Sequence, residues 1–123
     1  MGFIIDENRI IFLQIAERIE DDIIEGRLPE ETQVPSTLQF AAFYKINPAT
    51  AAKGVNLLVD QGILYKKRGI GMFVATGACA ELMKKRKEQF YKQYVVTMLQ
   101  ESKKLKITSE ELAEMIAKGE GLE

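Results

Sequence analysis

Apolar side chains in the first quarter of the chain recur at helical spacing. Five of them occupy positions i, i+3, i+4, i+7 and i+11, and Gly26 and Pro29 follow as residues that end helices. The stripe consists of Phe12, Ile15, Ala16, Ile19 and Ile23. This pattern predicts an amphipathic helix over residues 9–25.

Two more helices are predicted by their start signals. Ser36 is a good N-cap, and Gln39 stands three residues later, as a capping box requires, within a short apolar run. Pro48 favours the first turn of a new helix, for which Asn47 is the expected N-cap and Gly62 the end. Two helices joined by a turn of three or four residues form the outline of a helix-turn-helix.

A β-hairpin is predicted after these helices. Residues 63–67 and 72–75 are β-type runs, and Arg68-Gly69-Ile70-Gly71 lies between them as a turn. A helix, a helix-turn-helix and a basic hairpin with glycines at its tip follow one another in the order of a winged-helix domain. We therefore expect such a domain over residues 9–76.

The remaining residues, 77–123, are predicted to form a helical dimerisation tail. Residues 78–104 read as one long helix, and Thr108 with Glu111 has the form of a second capping box, ahead of a short helix that ends at Gly119. Two helices alone cannot cover their apolar stripes, which need either the winged domain or a second subunit, and large uncovered apolar patches mark interfaces. The expected dimer contacts are Leu82, Phe90, Tyr94, Met98 and Leu99. The predicted fold class is thus mostly α with a small β hairpin.

Composition excludes several kinds of active site. The 123 residues include no His and a single Cys, Cys79, so there is no His-based nucleophile pair, no His-ligated metal and no multi-Cys zinc site. We therefore expect no enzyme and no cofactor. The longest uncharged stretch, residues 32–44, is too short to span a bilayer, so we also expect no membrane partner.

Charge is segregated along the chain although the net charge is only −1. Residues 1–31 carry nine acids and three bases, and residues 107–123 carry five acids and one base. Between them, residues 32–76 carry one acid and five bases, and residues 77–106 carry three acids and eight bases. A basic middle between acidic ends suggests that one surface meets an anionic partner, although chance clustering of solvated side chains would give the same pattern.

The start of the third helix and the hairpin tip carry the candidate chemistry. Helix N-termini bind phosphate, and a recognition helix contacts bases with its first residues. The candidate contacts are Ser36, Thr37, Lys45, Asn47, Thr50, Lys53, Lys66, Lys67, Arg68, Gly69 and Gly71. The alternative is structural: the alanines near Thr50 would pack in a core, and the hairpin charges would serve only solubility.

Taken together, these segments resemble the winged-helix domain of the GntR family of bacterial transcription regulators. The resemblance covers residues 11 to about 76, with the segments in the family's order and spacing. They are Leu13-Gln14-Ile15-Ala16, Ile23-Ile24-Glu25-Gly26, Val34-Pro35-Ser36, Asn47-Pro48-Ala49-Thr50, Gln61-Gly62-Ile63-Leu64 and Arg68-Gly69-Ile70-Gly71-Met72-Phe73-Val74. The short tail is similar to that of the YtrA-type branch.

The resemblance implies a cytoplasmic, homodimeric, sequence-specific regulator of transcription that binds double-stranded DNA at an inverted repeat, with repression as the expected action. One position departs from the family pattern: Leu38 stands where the family usually has an arginine that contacts DNA. A small-molecule effector is compatible with such a regulator, but the sequence identifies none. The alternative function is a winged-helix module that binds another protein and not DNA.

Overall fold

The computed structural model of the chain describes residues 4–121, which form six α-helices, one π-helical segment and a two-stranded antiparallel hairpin. The predicted fold class is confirmed, and helix ends differ from the prediction by one or two residues. In chain order the elements are α1 (Ile11–Ile24), α2 (Thr37–Tyr44), α3 (Pro48–Asp60), β1 (Leu64–Lys67), β2 (Gly71–Val74), α4 (Ala78–Phe90), the π-helical segment (Tyr91–Val95), α5 (Val96–Lys104) and α6 (Ser109–Glu120).

Side-chain caps start α2 and α3 where the sequence predicts them. Ser36 Oγ accepts a hydrogen bond from the Gln39 amide at 3.1 Å, and Gln39 Oε1 accepts one from the Ser36 amide at 2.7 Å. Asn47 Oδ1 accepts from the Ala49 amide at 2.8 Å. Lys45 adopts a left-handed conformation, with φ of 55°, at the end of α2. The caps and this turn define the helix-turn-helix.

The core of the winged domain lies between α1, α3 and the hairpin. Three isoleucines of the predicted α1 stripe are buried together with Val55 and Leu58 of α3 and with Leu64 and Val74 of the strands. The helices approach most closely at Gly54, where an added Cβ would lie 2.7 Å from the Phe12 carbonyl oxygen. Contact between the two backbones leaves little freedom in how α3 crosses α1.

The segment before α2 runs along the outer edge of β2. The Val34 amide donates to the Met72 carbonyl at 2.9 Å, and the Glu31 amide donates to the Val74 carbonyl at 2.8 Å. The Val74 amide in turn donates to the Thr32 carbonyl at 3.0 Å. The hairpin is thereby joined on one side to the loop that leads into the helix-turn-helix.

The compact unit that contains the predicted winged domain extends beyond residue 76. The chain divides into two compact units, the first ending at Lys84 and the second beginning at Lys85. The reason is that Ala78 and Leu82, in the first turns of α4, are buried in the core of the first unit. The assignment of Leu82 to the dimer interface is therefore wrong: its side chain has no exposed surface.

The second unit contains the end of α4, the π-helical segment, α5 and α6. Helical structure continues from residue 78 to residue 104 as predicted, but hydrogen bonding changes to the π pattern over Tyr91–Val95. Beyond α5 the chain turns at Lys106, with φ of 58°, and α6 begins with the predicted capping box between Thr108 and Glu111.

Candidate nucleic-acid interface

The third helix has a buried side and an outward side. Its buried side consists of Ala51, Gly54, Val55 and Leu58. The exposed residues Ala49, Lys53, Asn56 and Asp60 recur at threes and fours along the other side. The structural alternative for the alanines therefore holds for Ala51, which is core, but not for Ala49. Packing against α1 leaves the outward side available to a ligand.

Lys53, the one base on α3, is held against α1. Its ammonium lies 4.4 Å from the centroid of the Phe12 ring, within the range of a cation–π contact. Thr50 is half-buried, and the Asn47 side-chain oxygen already accepts from the Ala49 amide. The outward side of the helix thus presents less polar chemistry than its three candidate residues suggested.

The candidates on α2 lie at its two ends. Ser36 is exposed while its hydroxyl oxygen caps the helix, and Thr37 is half-buried beside it. Lys45 is exposed in the turn to α3. Leu38, at the position of the family's arginine, is 70% exposed. The start of this helix therefore presents the Ser36 hydroxyl and the apolar Leu38 side chain to a ligand.

The three bases of the wing, residues 64–74, do not form a single cluster. Lys66 pairs across the hairpin with Met72, whereas Lys67 pairs with Gly71, so the two lysines project from opposite sides of the strand. The Lys67 ammonium lies 4.2 Å from the centroid of the Phe73 ring. Arg68 is exposed in the turn itself. An anion beside the wing would therefore meet Arg68 together with only one of the lysines.

Gln33 fastens the tip of the wing to the loop before α2. Its side-chain amide donates to the Ile70 carbonyl at 3.0 Å. Gly71 has φ of +146°, and a Cβ added there would lie 2.5 Å from Gln33 Nε2. Gly69, with φ of +77°, has nothing within 4 Å of such a Cβ. The positive φ favours glycine at both positions, and at Gly71 a side chain would also displace the Gln33 amide from its bond to Ile70.

Two neighbouring acids hold the base of the wing. The Glu31 carboxylate accepts hydrogen bonds from the Thr76 and Tyr65 hydroxyls. These bonds lower the pKa of the Glu31 carboxyl below its ordinary value, and the same contact raises the pKa of the Tyr65 phenol. Glu30 accepts from the amides of Gly77, at 2.9 Å, and Cys79, at 3.4 Å. The pair thereby joins the wing to the first turn of α4.

Sequence reasoning missed the outward position of Asn56 and the structural roles of Gln33, Glu30 and Glu31. Asn56 was detectable, because it stands three residues after Lys53 on the outward stripe. The other three had no local signal, since Gln33 and Ile70 are 37 residues apart and Glu30 and Gly77 are 47 apart.

The predicted dimer contacts other than Leu82 are exposed in the second unit. Phe90 and Tyr94 are each 57% exposed, and their ring centroids are 5.4 Å apart. Tyr91, Met98 and Leu99 are also exposed on the same helical run. On α6, Met115 and Ile116 are exposed as well. We call the five residues Phe90, Tyr91, Tyr94, Met98 and Leu99 the aromatic stripe.

Residues 4–121 contain neither a cluster of metal ligands nor a membrane-spanning helix. No three His, Cys, Asp or Glu residues of this part of the chain lie close enough together to hold a metal ion. None of its helices combines the length and apolarity needed to cross a membrane.

Comparison with known proteins identifies the winged domain. The sequence model of the bacterial regulatory proteins of the gntR family matches residues 12–74, about half of the chain. The chain belongs to the gntR family. It is 29% identical over 106 residues to the uncharacterized HTH-type transcriptional regulator YhcF of Bacillus subtilis, a match that covers 86% of each chain.

Solved structures of gntR-family proteins have the same fold. A crystal structure from Bacteroides thetaiotaomicron, described as a transcriptional regulator of the GntR family, is 39% identical to this chain. It has a TM-score of 0.75 and covers 88% of this chain and 94% of its own. YtrA from Sulfolobus acidocaldarius, also a GntR-family transcription factor, is 25% identical with a TM-score of 0.56, over 69% of this chain and 92% of its own. The resemblance to the family and to YtrA is confirmed.

The solved neighbours include complexes with operator DNA. The DNA-binding domain of AraR in complex with operator ORR3 is 30% identical, with a TM-score of 0.50, and covers 52% of this chain and 77% of its own. This overlap corresponds to a single winged domain. The gntR-family chain described here is accordingly a DNA-binding regulator of transcription.

Proposed function

We propose that this gntR-family regulator is a repressor that binds an inverted-repeat operator as a homodimer, with one winged domain on each half-site. The observation that carries the proposal is the uncovered outward side of α3, opposite the side that packs on α1. A recognition helix of this kind enters the major groove with its first residues, and a two-fold dimer matches a palindromic site.

The candidate residues on α3 would contact bases or the adjacent phosphates, and the others would contact phosphates only. Asn47, Thr50 and Lys53 lie in the first two turns of α3, where the helix dipole and free amides also favour an anion. The phosphate contacts would be Ser36, Thr37, Lys45, Lys66, Lys67 and Arg68, with Gly69 and Gly71 giving the wing a backbone that can approach DNA closely.

The aromatic stripe supports dimerisation through the second unit. Its side chains are exposed in the single chain, and large exposed apolar patches are rare on proteins that stay monomeric. We propose that a second copy of the chain covers the stripe formed by Phe90, Tyr91, Tyr94, Met98 and Leu99. The dimer would then place two winged domains on one DNA duplex.

Repression is the simplest action of such a dimer, because occupying an operator is sufficient to block transcription. The site of action would be the cytoplasm, where the bacterial chromosome lies. A small-molecule effector that releases the dimer is compatible with the proposal.

Selection of bound sequences from random DNA tests the function directly. The purified full chain should enrich an inverted repeat whose half-sites lie about one helical turn, or a multiple of it, apart. Enrichment of a single half-site would refute the dimer. If no sequence is enriched, the protein-binding alternative replaces operator binding. Loss of binding as salt rises is a second signature, since phosphate contacts release counterions.

A charge placed in the aromatic stripe tests the dimer. Tyr94→Glu should convert the protein to a monomer in light scattering and lower operator affinity. The matched control is Gln89→Glu, which adds the same charge to an exposed position of the same helical run outside the stripe. A Tyr94→Glu protein that remains a dimer would show that the stripe is not the interface.

A further inference from the structure

The first two turns of α3 carry small apolar side chains beside two polar ones, the half-exposed Thr50 and the exposed Lys53. Pro48 and Ala49 are exposed and Ala52 is half-exposed, while Ala51 points into the core. These are the positions of a recognition helix that come nearest to base edges. What they offer is a pyrrolidine ring and two methyl groups.

Guanine has no evident partner on this helix. The commonest guanine contact is a bidentate arginine or lysine at O6 and N7. No arginine occurs in α3, and its single lysine, Lys53, has its ammonium 4.4 Å from the Phe12 ring centroid on α1. The helix therefore has no arginine, and its one lysine is exposed but in contact with an aromatic ring. The small side chains at Ala49 and Ala52 let the helix backbone lie close to the bases.

Methyl groups in the major groove mark thymine. A thymine presents its 5-methyl there, and apolar side chains such as alanine contact it favourably. We propose that α3 reads thymine methyl groups through Ala49 and Ala52, so that the part of each half-site beneath α3 consists of A·T pairs. Asn56, one turn further along the outward stripe, carries the side chain that suits adenine N6 and N7. This inference rests on the proposed operator binding and specifies which bases that same interface reads.

Replacing thymine by deoxyuridine isolates the methyl group, because the base pair and its hydrogen-bonding groups are unchanged. In the selected operator, each thymine beneath α3 should weaken binding by about fourfold when it is replaced, the effect expected for one buried methyl group. Ala49→Gly and Ala52→Gly should each remove the sensitivity of one such thymine. Ala80→Gly, at an exposed position of α4, is the matched control for glycine in a helix and should leave every sensitivity in place.

A converse variant makes the test independent of helix stability. Ala52→Arg should shift the selected base beneath that position towards guanine. The proposal is overturned if the selected half-site has G·C pairs beneath α3, or if uracil substitution changes affinity by less than twofold while consensus DNA is still preferred over scrambled DNA. Failure of operator binding itself looks different: no sequence is then enriched at all.

Discussion

Replacing Gly54 with alanine should destabilise the winged domain, although alanine is the better helix former. Gly54 lies in the middle of α3, where alanine is favoured by about 1 kcal/mol on helix propensity alone. The added Cβ, however, would lie 2.7 Å from the Phe12 carbonyl oxygen and 3.1 Å from Ile15 Cβ. The nearest of these atoms belongs to backbone, so relief requires that α1 and α3 move apart.

The size of the effect follows from these two opposing contributions. Overpacking a tight core costs about 1–3 kcal/mol, and a clash with backbone at this distance belongs in the upper half of that range. After the propensity gain is subtracted, we expect a loss of about 1–2 kcal/mol in the free energy of unfolding. With a urea m value of about 1–2 kcal/mol per molar, the unfolding midpoint falls by about 1 M.

Urea denaturation followed by far-UV circular dichroism measures this shift. The matched control is Gly119→Ala in α6, where nothing lies within 4 Å of an added Cβ. Only helix propensity acts there, so its midpoint should stay the same or rise slightly. Both variants are compared with the parent at one protomer concentration, because the proposed dimerisation would make apparent stability depend on concentration. A Gly54→Ala protein as stable as the parent would refute the tight α1–α3 crossing.

Three further predictions concern the wing and α2. Arg68→Ala should weaken operator binding and make the slope of log affinity against log salt shallower by about one per protomer, as measured by anisotropy titrations; an unchanged slope would mean that Arg68 contacts no phosphate. Leu38→Arg should tighten operator binding by about threefold to tenfold, because the side chain is 70% exposed and the substitution adds a cation. Unchanged affinity would place the start of α2 away from DNA. Glu31→Gln should lower stability at neutral pH through its lost bonds to Thr76 and Tyr65. Because the pKa of Glu31 is lowered in the fold, its contribution is present above the ordinary value of 4.5 and is lost as pH falls through the lowered value. The urea midpoints of parent and variant should therefore converge below that pH, and a gap that persists there would contradict the assigned contacts.

Local signals in the sequence determined the secondary structure of this protein. The α1 stripe, the capping residues Ser36, Asn47 and Thr108, and the glycines of the wing act over distances of two to four residues along the chain. Interactions of such short range can be read without knowing which elements meet. They also carry the gntR-family pattern, which is why the winged domain was predictable.

The tertiary structure decided which elements pack together and which side chains they bury. Leu82 belongs to the same helical pattern as Tyr94, but only the fold places it in the core of the first unit while Tyr94 remains exposed. The sequence shows that Lys53 is a cation on α3, but only the packing of α1 on α3 places its ammonium over the Phe12 ring. The contact between Gln33 and Ile70 joins residues 37 apart. Periodicity states that a residue lies on an apolar or polar stripe, but not which surface covers that stripe, because contacts between elements depend on how the whole chain packs.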